Sequence, residues 1–499
     1  MMAVQAPPVV TLASLLDGVS PVTAGANLRV AGLALDSRRL LPGDCFVALA
    51  GSRDHGARHA KDAVRAGAVA VLTEPGVKLG ALPVPVLEVP ALRASLPLLA
   101  RRCYGDPARL MQLAAVTGTN GKTSVAHLCA QALRSLHGAS GYFGTLGYGA
   151  LDSLEPGPNT TPDPITLQRV LARLLAGGCF HVALEASSHA LAQGRLDGLP
   201  ISVAVFTGLG HDHLDYHGTL EAYGEAKVRL FRMPGLRYAV LNADDPYSAT
   251  VRTNLAPTTQ VVTYGLGRKL GTADVELAAS RCSLAGSYLQ VRTPQGDVVL
   301  DSPLLGEFNV QNLLAALSVL LAQGVDPNLA AAALSRAHPV RGRMELLRGG
   351  PGTPLVCIDY AHSPDSLERV LSALRLSGCR SLVCVFGCGG ERDASKRGPM
   401  GAIAEAMADR VILTADNPRS ELAADIARQI GAGMREPSRA LVIEDRRSAI
   451  AQAIREAGAD DVVLVAGKGH ETTQRIGDCE LPFDDARVAR EILAEVGRG

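Results

Sequence analysis

The chain has 499 residues, of which 47% are hydrophobic and 20% charged, and its formal net charge at pH 7 is zero. This length predicts about three globular domains with ordinary apolar cores. The balanced charge argues against a surface built for nucleic acid or acidic membranes, and no apolar run approaches the roughly 18 residues of a membrane span. The first residues, MMAVQAPPVV, lack the basic segment of a secretory signal, so we expect a cytoplasmic protein.

Cysteine and lysine usage bears on the chemistry. The ten cysteines are scattered, mostly in apolar runs such as LVCIDY, without a C-x-x-C pair or zinc-like spacing, so we expect reduced core thiols. Only seven of the 49 basic residues are lysines. Because a lysine amine is a compact charge that can be chemically modified, the lysines in polar, glycine-bearing motifs are candidates for specific roles. The alternative is codon bias with accidental placement.

The first two domains are predicted from alternating strand and helix patterns. Residues 1–106 contain strand-like runs, such as DCFVALAG and AVAVLTEP, with helical spacing between them in HAKDAVRAG, which indicates a small α/β domain. The second domain, residues 107–337, opens with a strand at Leu113–Val116. A helix follows it, and apolar positions from Val125 to Leu136 lie along one face of that helix.

A glycine loop, GTNGKT, joins this strand to this helix. The common phosphate loop is G-x-x-x-x-G-K-[ST], but its first glycine would fall at Val116; here Gly118 begins a shorter G-x-x-G-K-T. Backbone N–H groups at a helix N-terminus favour an anion, so we expect Lys122 to reach terminal phosphates and Thr123 to hold Mg²⁺. The alternative is a plain turn before a buried helix.

Two further motifs in this domain suit a metal. The strand HVALE ends at Glu185, and HDHLDYH places three histidines and two aspartates within residues 211–217. Neither H-E-x-x-H nor thiolate spacing is present, so carboxylates near a phosphate loop favour Mg²⁺ over zinc. An exposed helix-start glutamate and a surface histidine cluster are the alternatives.

The third domain, residues 338–499, shows four apolar strands that each end in a polar cluster. PLVCI leads to DYAHSPD, SLVCVF to GCGGERDASKR, RVILT to ADNPRSE, and DVVLVA to GKGHE, with helical patterns between them. This order predicts a mostly parallel sheet, and ligands bind such sheets beyond the carboxyl ends of the strands.

Together GTNGKT, NTTPD, EASSHALAQGR, DHLDYHGTLEAYGEAKVRLF, LLGEFNVQNLLAA, GRME, DYAHSPDSLE and ADNPRSE resemble the Mur ligases of peptidoglycan synthesis, in order along nearly the whole chain. The family uses the short phosphate loop. The resemblance implies an α/β protein with an N-terminal UDP-binding domain, a central P-loop ATPase-like domain and a C-terminal Rossmann-like domain. The motifs are most similar to those of members that use ATP to add meso-diaminopimelate to UDP-N-acetylmuramoyl-L-alanyl-D-glutamate through an acyl phosphate.

The resemblance also implies the residues of the ATP and metal site. Catalytic roles fall on Lys122, Glu185, His213 and Lys227, with Lys227 carbamylated and with Mg²⁺ on Thr123, Glu185 and His213. Asp359 and His362 are implied to lie near the nucleotide. The residues implied to contact ATP, the co-substrate, are Gly118, Thr119, Asn120, Gly121, Lys122, Thr123, Ser124, Asn309 and Arg343.

The two other substrates are assigned in the same way. The incoming diaminopimelate is implied to contact Arg392, Asp416, Asn417, Pro418, Arg419, Gly467 and Glu471, with Arg419 as the carboxylate-binding selector. The UDP-linked muramoyl peptide is implied to contact Ser37, Thr160, Thr161, Ser187, Gln193 and Arg195. The chain departs from the family pattern at Asp54-His55-Gly56, where relatives tend to have D-G-H, at Gly208, and in KRGPM, where the proline is shifted.

Four alternative functions fit the sequence less well. A lysine-adding Mur ligase would tend to lack the arginine of DNPR, and a folylpolyglutamate synthetase shares the fold and ATP chemistry without DNPR in this context. A regulatory GTPase needs N-K-x-D, and the sequence contains no Asn-Lys pair. A catalytically dead relative is disfavoured because Lys122, Glu185, His213 and Lys227 are all present. We expect a monomer that binds only small-molecule substrates.

Overall fold

The computed structural model describes residues 10–51, 54–268 and 273–497. They form two compact units. The first runs to Tyr264 and adds residues 318–325, and the second contains Gly265–Leu317 and the residues from Asp326 onward. Both units combine sheets with packed helices, which confirms the predicted α/β class. No helix within the described residues is long and apolar enough to cross a membrane. All ten cysteines are free, eight of them buried, as expected for reduced core thiols.

The N-terminal part of the first unit has its own small sheet. Four of its strands, β3 to β6, pair in parallel and in chain order, and apolar side chains such as Leu33, Val47 and Leu72 form its core. The elements of this part are β1 (Val10–Thr11), α1 (Leu12–Leu16), β2 (Arg29–Val30), β3 (Gly32–Ala34), β4 (Asp44–Ala48), α2 (Ala60–Arg65), β5 (Ala70–Thr73), β6 (Val86–Glu88) and α3 (Leu92–Tyr104).

The rest of the first unit is built around a larger sheet. Its elements are β7 (Gln112–Thr117), α4 (Lys122–His137), β8 (Gly141–Gly144), β9 (Gly147–Ala150), α5 (Pro164–Ala176), β10 (His181–Glu185), α6 (Ser188–Ala192), β11 (Ile201–Phe206), α7 (Leu214–His217), α8 (Leu220–Val228), β12 (Tyr238–Asn242), α9 (Ser248–Thr253) and β13 (Gln260–Gly265). The strands run in the order β13-β12-β11-β7-β10-β8-β9, and all pairs are parallel except β8 with β9. The glycine loop therefore follows a central strand.

The second unit begins with an antiparallel meander and two helices. These elements are β14 (Val275–Ser283), β15 (Gly286–Arg292), β16 (Val298–Ser302), α10 (Glu307–Ala322) and α11 (Pro327–Ser335). The meander pairs β14 with β15 and β15 with β16. Helix α10 contributes Phe308 to the core that lies beneath one face of the following sheet.

The C-terminal sheet has the strand order β17-β18-β22-β19-β20-β21, parallel except for β17. The elements are β17 (Glu345–Leu347), β18 (Leu355–Asp359), α12 (Pro364–Leu376), β19 (Ser381–Phe386), α13 (Arg397–Met407), β20 (Arg410–Leu413), α14 (Ala423–Gly431), β21 (Leu441–Val442), α15 (Arg446–Glu456), β22 (Asp461–Ala466), β23 (Thr473–Ile476), β24 (Cys479–Pro482) and α16 (Asp485–Val496).

The strands at the centre of this sheet, β18, β19 and β22, are mainly apolar because both faces are covered by helices. In β19, Cys384 packs into one core with α12, α13 and α14, whereas Val383 and Val385 pack into the other with α15 and α16. This alternation follows from the two-residue repeat of a strand. The four polar clusters predicted at the strand ends therefore lie along one edge of the sheet.

A fully buried ion pair joins α15 and α16, the two helices of the core that contains Val383 and Val385. Arg446 on α15 donates two hydrogen bonds of 2.7 Å to Asp485 on α16, and neither side chain is exposed. Since removing one partner leaves a buried charge uncompensated, we expect Asp485→Ala to lower the free energy of unfolding by about 3–5 kcal/mol. Urea denaturation of the purified variant measures this.

The control for this prediction lies on the same two helices. Arg447 and Glu491 form a 2.7 Å ion pair, but their side chains are 49% and 43% exposed. Because exposed pairs contribute only about 0–1 kcal/mol, Glu491→Ala should be close to the unmutated protein. Equal effects of Glu491→Ala and Asp485→Ala would contradict the assigned role of burial.

Candidate active site

The glycine loop has the geometry of a strand–loop–helix anion cradle. Gly118 and Gly121 have φ of 147° and 85°, values that suit glycine, and α4 begins directly after them. A Cβ on Gly118 would collide with the Thr207 hydroxyl, which follows β11 and donates to the Asn120 carbonyl at 2.5 Å. The loop is thus held against the neighbouring strand, and the N-terminus of a 16-residue helix points its free N–H groups into it.

Glu185 lies beside this loop because its strand pairs with β7. Glu185 is opposite Val116 in the register, and its side chain is buried. One carboxylate oxygen accepts from the Thr123 hydroxyl at 2.8 Å, and the other accepts from the Tyr142 hydroxyl at 2.6 Å and from the Thr145 N–H at 2.8 Å. Thr123 and Glu185, two of the three residues predicted to hold the metal, are therefore in direct contact.

Lys227 is a basic residue of the first unit that lies out of contact with solvent. Its side chain is fully buried at the end of α8, and Nζ donates to the Gly118 carbonyl at 2.8 Å. Lys122 Nζ donates to the same carbonyl oxygen at 2.9 Å. Burial, and then the charge of Lys122, hold the pKa of Lys227 well below its usual range. The depressed pKa favours the uncharged form of this amine, which lies beside the phosphate loop.

His213 lies near this amine but outside the Glu185 cluster. Its ring centroid is 6.2 Å from that of Tyr223, and the Tyr223 ring faces Lys227 Nζ at 4.0 Å. The His213 side chain is 46% exposed. Within the described residues, no three His, Cys, Asp or Glu side chains form a metal-binding group. The hydroxyl and carboxylate oxygens of Thr123 and Glu185 are the hard ligands that Mg²⁺ prefers, and this ion needs only one or two carboxylates because it retains waters.

Five of the six residues predicted to bind the muramoyl peptide, all except Ser37, belong to one hydrogen-bonded network. Thr161 donates to the Glu185 carbonyl at 2.6 Å and lies 3.2 Å from the Ser187 hydroxyl, and Thr160 is linked to Thr145 at 3.2 Å. Arg195 donates to the Thr161 carbonyl at 2.8 Å and, through two nitrogens, to the Gln193 side chain. The network connects this predicted substrate site to the strand end that carries Glu185.

Two cavities lie next to this network. One, of about 270 Å³, is lined by Gln193 and Arg195 together with Arg93 and residues from β4. The other, of about 450 Å³, is lined by Asp36, Arg38, Arg39 and Arg169 among others. Ser37 lies between two residues of the second cavity, in a short helical turn where the Asp36 side chain accepts from the Arg38 N–H. Arginines at both cavities suit a diphosphate-linked substrate.

Three of the four residues predicted near the nucleotide in the second unit, Arg343, Asp359 and His362, lie at the end of β18 or contact the residues there. Asp359 accepts from the Met344 and Ala361 N–H groups at 2.7 and 2.8 Å, and burial raises its pKa to about 6. The Arg343 guanidinium stacks on Tyr360 at 4.6 Å, and its Nε is buried without a hydrogen-bond partner among the described residues.

The other two residues of this set are held by local contacts. His362 Nδ1 donates to the Tyr360 carbonyl at 2.8 Å, and the His362 carbonyl accepts from Lys396. Asn309 is buried in α10, where its amide nitrogen donates to the Leu305 carbonyl at 2.8 Å. Asn309 is thus committed to its own helix start.

The residues predicted to bind diaminopimelate meet at the ends of β19, β20 and β22. Arg419 donates to the Gly390 carbonyl at 2.6 Å, and Arg392 and Arg419 both pack beside Gly389. Asn417 donates to Glu471 at 2.8 Å. Asp416 is buried, and burial raises its pKa. Pro418 lies within this loop. Gly467 has φ of 116°, and a Cβ there would also meet the Asp416 carboxylate.

Several functional contacts were missed from the sequence. Tyr142 and Thr145 hold Glu185, Tyr216 accepts from Gln193, and Tyr360 stacks on Arg343. Tyr142 and Thr145 lie in an uncharged segment, where no local pattern singles them out. Tyr216 in HDHLDYH and Tyr360 in DYAHSPD lie in motifs whose charged residues were predicted instead. Lys468, whose ammonium group contacts Asn417 and Glu471, could have been found from the rarity of lysine in this chain.

Comparison with known proteins agrees with this geometry. Residues 116–320 match the Mur ligase middle domain, and residues 342–469 match the Mur ligase, glutamate ligase domain. A UDP-N-acetylmuramoyl-L-alanyl-D-glutamate–2,6-diaminopimelate ligase of Xanthomonas campestris pv. campestris is 45% identical over 95% of each chain. The Pseudomonas aeruginosa enzyme of the same name is 45% identical over 94% of this chain and 96% of its own length.

Solved structures give the same result. A structure of a ligase with this name has a TM-score of 0.71 at 36% identity and covers 97% of this chain and 99% of its own. Folylpolyglutamate synthase of Mycobacterium tuberculosis, at 20% identity and a TM-score of 0.61 over 75% of this chain and 92% of its own, shares the fold alone. With matches that span the glycine loop, Glu185, Lys227 and the C-terminal strand ends, the chain belongs to the Mur ligase family.

Proposed function

We propose that this protein uses ATP to join meso-diaminopimelate to UDP-N-acetylmuramoyl-L-alanyl-D-glutamate. The observation that carries the proposal is the 45% identity, over 95% of both chains, to a ligase named for this reaction. Glu185 and Lys227 are buried beside the glycine loop. They supply a carboxylate and an amine at the place where such a ligation must bind phosphates and a metal. Because ATP and the UDP-linked peptide are both nucleotide metabolites of the cytoplasm, we expect the reaction to take place there.

The reaction takes place in two steps. The terminal phosphoryl group of ATP passes to the glutamate carboxylate, which gives an acyl phosphate and ADP. The amine of the incoming amino acid then attacks the acyl carbon, loses a proton, and expels phosphate. Both steps concentrate negative oxygens, which the helix N-terminus and Lys122 would stabilise. Mg²⁺ would be held by Thr123 and Glu185, which are in contact, and would supply charge neutralisation; His213, predicted as a third ligand, lies outside this contact.

We propose that Lys227 is carbamylated. Its uncharged amine attacks CO₂ and releases one proton, so that a carboxylate-like carbamate replaces the amine. The product is negative, and therefore attracts Lys122 where an ammonium group would repel it. It also adds an oxygen ligand that suits Mg²⁺. Arginine is unable to form this group, which explains lysine at this position in an arginine-rich chain.

We further propose the three-domain division at residues 106/107 and 337/338. The N-terminal part has a separate four-stranded sheet, and the C-terminal part has a separate six-stranded sheet with helices on both faces. Each has its own apolar core. Fragments of the chain that begin or end at these residues and unfold cooperatively would support the boundaries.

Arg419 is proposed to select diaminopimelate over lysine. The two amino acids differ by the distal carboxylate, which a planar guanidinium binds with two hydrogen bonds. Because truncation leaves the bound carboxylate unpaired, we expect Arg419→Ala to lower kcat/KM for diaminopimelate by roughly thirty-fold or more. The KM for ATP should change far less. Phosphate release with each amino acid measures both.

The control is Arg428→Ala, which removes an exposed arginine of α14 that pairs only with its helix neighbour Asp425 among the described residues. It should leave both kcat/KM values unchanged. If the unmutated protein uses lysine as well as it uses diaminopimelate, Arg419 is not a selector. If neither amino acid supports phosphate release, the proposed reaction itself is wrong.

A further inference from the structure

Lys468 is a fully buried lysine at the carboxyl end of β22. Its side chain has no exposed surface. A lysine is almost never fully buried unless its charge is paired, because its ammonium group loses the hydration of its three donors. Each of these donors therefore needs a protein acceptor, and the acceptors show what the residue holds in place.

The three acceptors belong to three different segments. Lys468 Nζ donates to the Thr473 carbonyl at 2.7 Å, to Glu471 Oε2 at 2.9 Å and to Asn417 Oδ1 at 3.1 Å. Asn417 follows β20, Glu471 follows β22, and Thr473 begins β23. The ammonium group thus ties together the two loops that carry the proposed amino-acid site.

Lys468 also sets the orientation of the Asn417 amide. An ammonium group only donates, so the amide oxygen must face it. The same oxygen accepts from the Arg475 N–H at 3.0 Å. The amide nitrogen is therefore turned toward Glu471, to which it donates at 2.8 Å.

Among the described residues, Glu471 accepts hydrogen bonds through one of its two carboxylate oxygens. Its Oε2 accepts from both Lys468 and Asn417. Its Oε1 accepts no hydrogen bond from the part of the chain that the structure describes, and the side chain is 32% exposed. One oxygen is thus anchored, while the other is oriented and accessible.

We propose that Lys468 is a positioning residue for the incoming amino acid. It anchors Oε2 of Glu471 and thereby presents Oε1 to the distal ammonium group of diaminopimelate. The inference rests on the proposed function, which assigns that ammonium group to Glu471. Pre-ordering matters because an unanchored glutamate must lose rotamer freedom when the ligand binds.

The first test replaces the ammonium group by a methyl group of similar reach. Lys468→Met should raise the KM for diaminopimelate by about 10- to 100-fold, the range found when a supporting residue is removed from a site. The KM values for ATP and for the UDP-linked substrate should stay within about twofold, because the proposed site assigns neither of them to Lys468, Asn417 or Glu471. KM values are independent of the active fraction, so partial misfolding does not obscure them. Lys61→Met, at an exposed lysine of α2, controls for the substitution type.

The second test uses a substrate that lacks the group in question. 2-Aminopimelate keeps the distal carboxylate of diaminopimelate but has no distal ammonium group. If Lys468 acts through Glu471, both Lys468→Met and Glu471→Gln should lower kcat/KM for diaminopimelate and leave 2-aminopimelate within about twofold. The double variant should be little worse than either single variant, because the two residues act as one unit.

The outcomes separate the inference from the proposed function. If Glu471→Gln raises the KM for diaminopimelate and Lys468→Met does not, the positioning role is overturned while the site stands. If Lys468→Met impairs both amino acids equally, its role is only structural and the inference is also overturned. If Glu471→Gln and Arg419→Ala both leave the KM for diaminopimelate unchanged, the proposed amino-acid site is wrong.

Discussion

Replacing Lys227 by alanine is expected to lower kcat by about three powers of ten or more, because a carbamate that organises the metal and the acyl phosphate is lost. Short carboxylic acids such as formate or acetate should restore part of the activity, since a carboxylate can occupy the space of the missing carbamate. Phosphate release with all three substrates measures both effects. The buried setting of the amine beside the Gly118 carbonyl leaves room for few other roles.

Lys227→Arg is the matched control for this prediction. It keeps a positive charge but is unable to form a carbamate, so it should be as inactive as Lys227→Ala and should not respond to bicarbonate. NMR of the unmutated protein with ¹³C-labelled bicarbonate should show a carbamate resonance that Lys227→Arg lacks. Near-normal turnover by Lys227→Arg would disprove carbamylation as a requirement.

The low pKa of Lys227 gives the carbamate a pH dependence. The depressed pKa means that the amine stays uncharged at pH values where an exposed lysine is protonated. Carbamylation should therefore persist to a lower pH than at an exposed lysine and be lost as pH falls through the depressed pKa, because protonation removes the attacking lone pair. The ¹³C resonance, followed as pH is lowered, reports this loss directly.

Lys122→Ala should lower kcat by roughly two to four powers of ten, because charge stabilisation of about 3–5 kcal/mol at the phosphates is removed. The fold should be unaffected, since Lys122 Nζ contacts the loop carbonyls of Gly118 and Thr119 at its own helix start. Near-normal activity would contradict the phosphate-loop assignment. Thr123→Ser keeps the hydroxyl that donates to Glu185, and should retain most of the activity.

Part of this site follows from local patterns. The strand predicted at Leu113–Val116 extends from Gln112 to Thr117, and the helix after the glycine loop begins at Lys122. The four C-terminal strands end where their polar clusters begin. These elements are predictable because strand and helix repeats depend on neighbours two to four residues apart, and because glycine marks the positions where φ is positive.

The contacts that give the site its chemistry were not predictable in the same way. Thr123 lies 62 positions from Glu185, and Lys227 lies 109 positions from Gly118. Motif resemblance associates these residues, but it does not give the acceptor that each one uses. Tyr142 and Thr145, which hold Glu185, lie in an uncharged segment and were missed for that reason.

The sequence by itself determined the strand and helix segments, the glycine turn and the family, because each depends on residues close together in the chain or on motifs in fixed order. Only the tertiary structure decided that Lys227 and Lys122 share the Gly118 carbonyl, and that Lys468 joins Asn417 to Glu471. The physical reason is strand order. In the sheet of the first unit, β7 lies between β10 and β11; in the C-terminal sheet, β22 lies between β18 and β19. Within each sheet this order brings loops that are distant in the chain to the same edge, where a buried charge must find a partner.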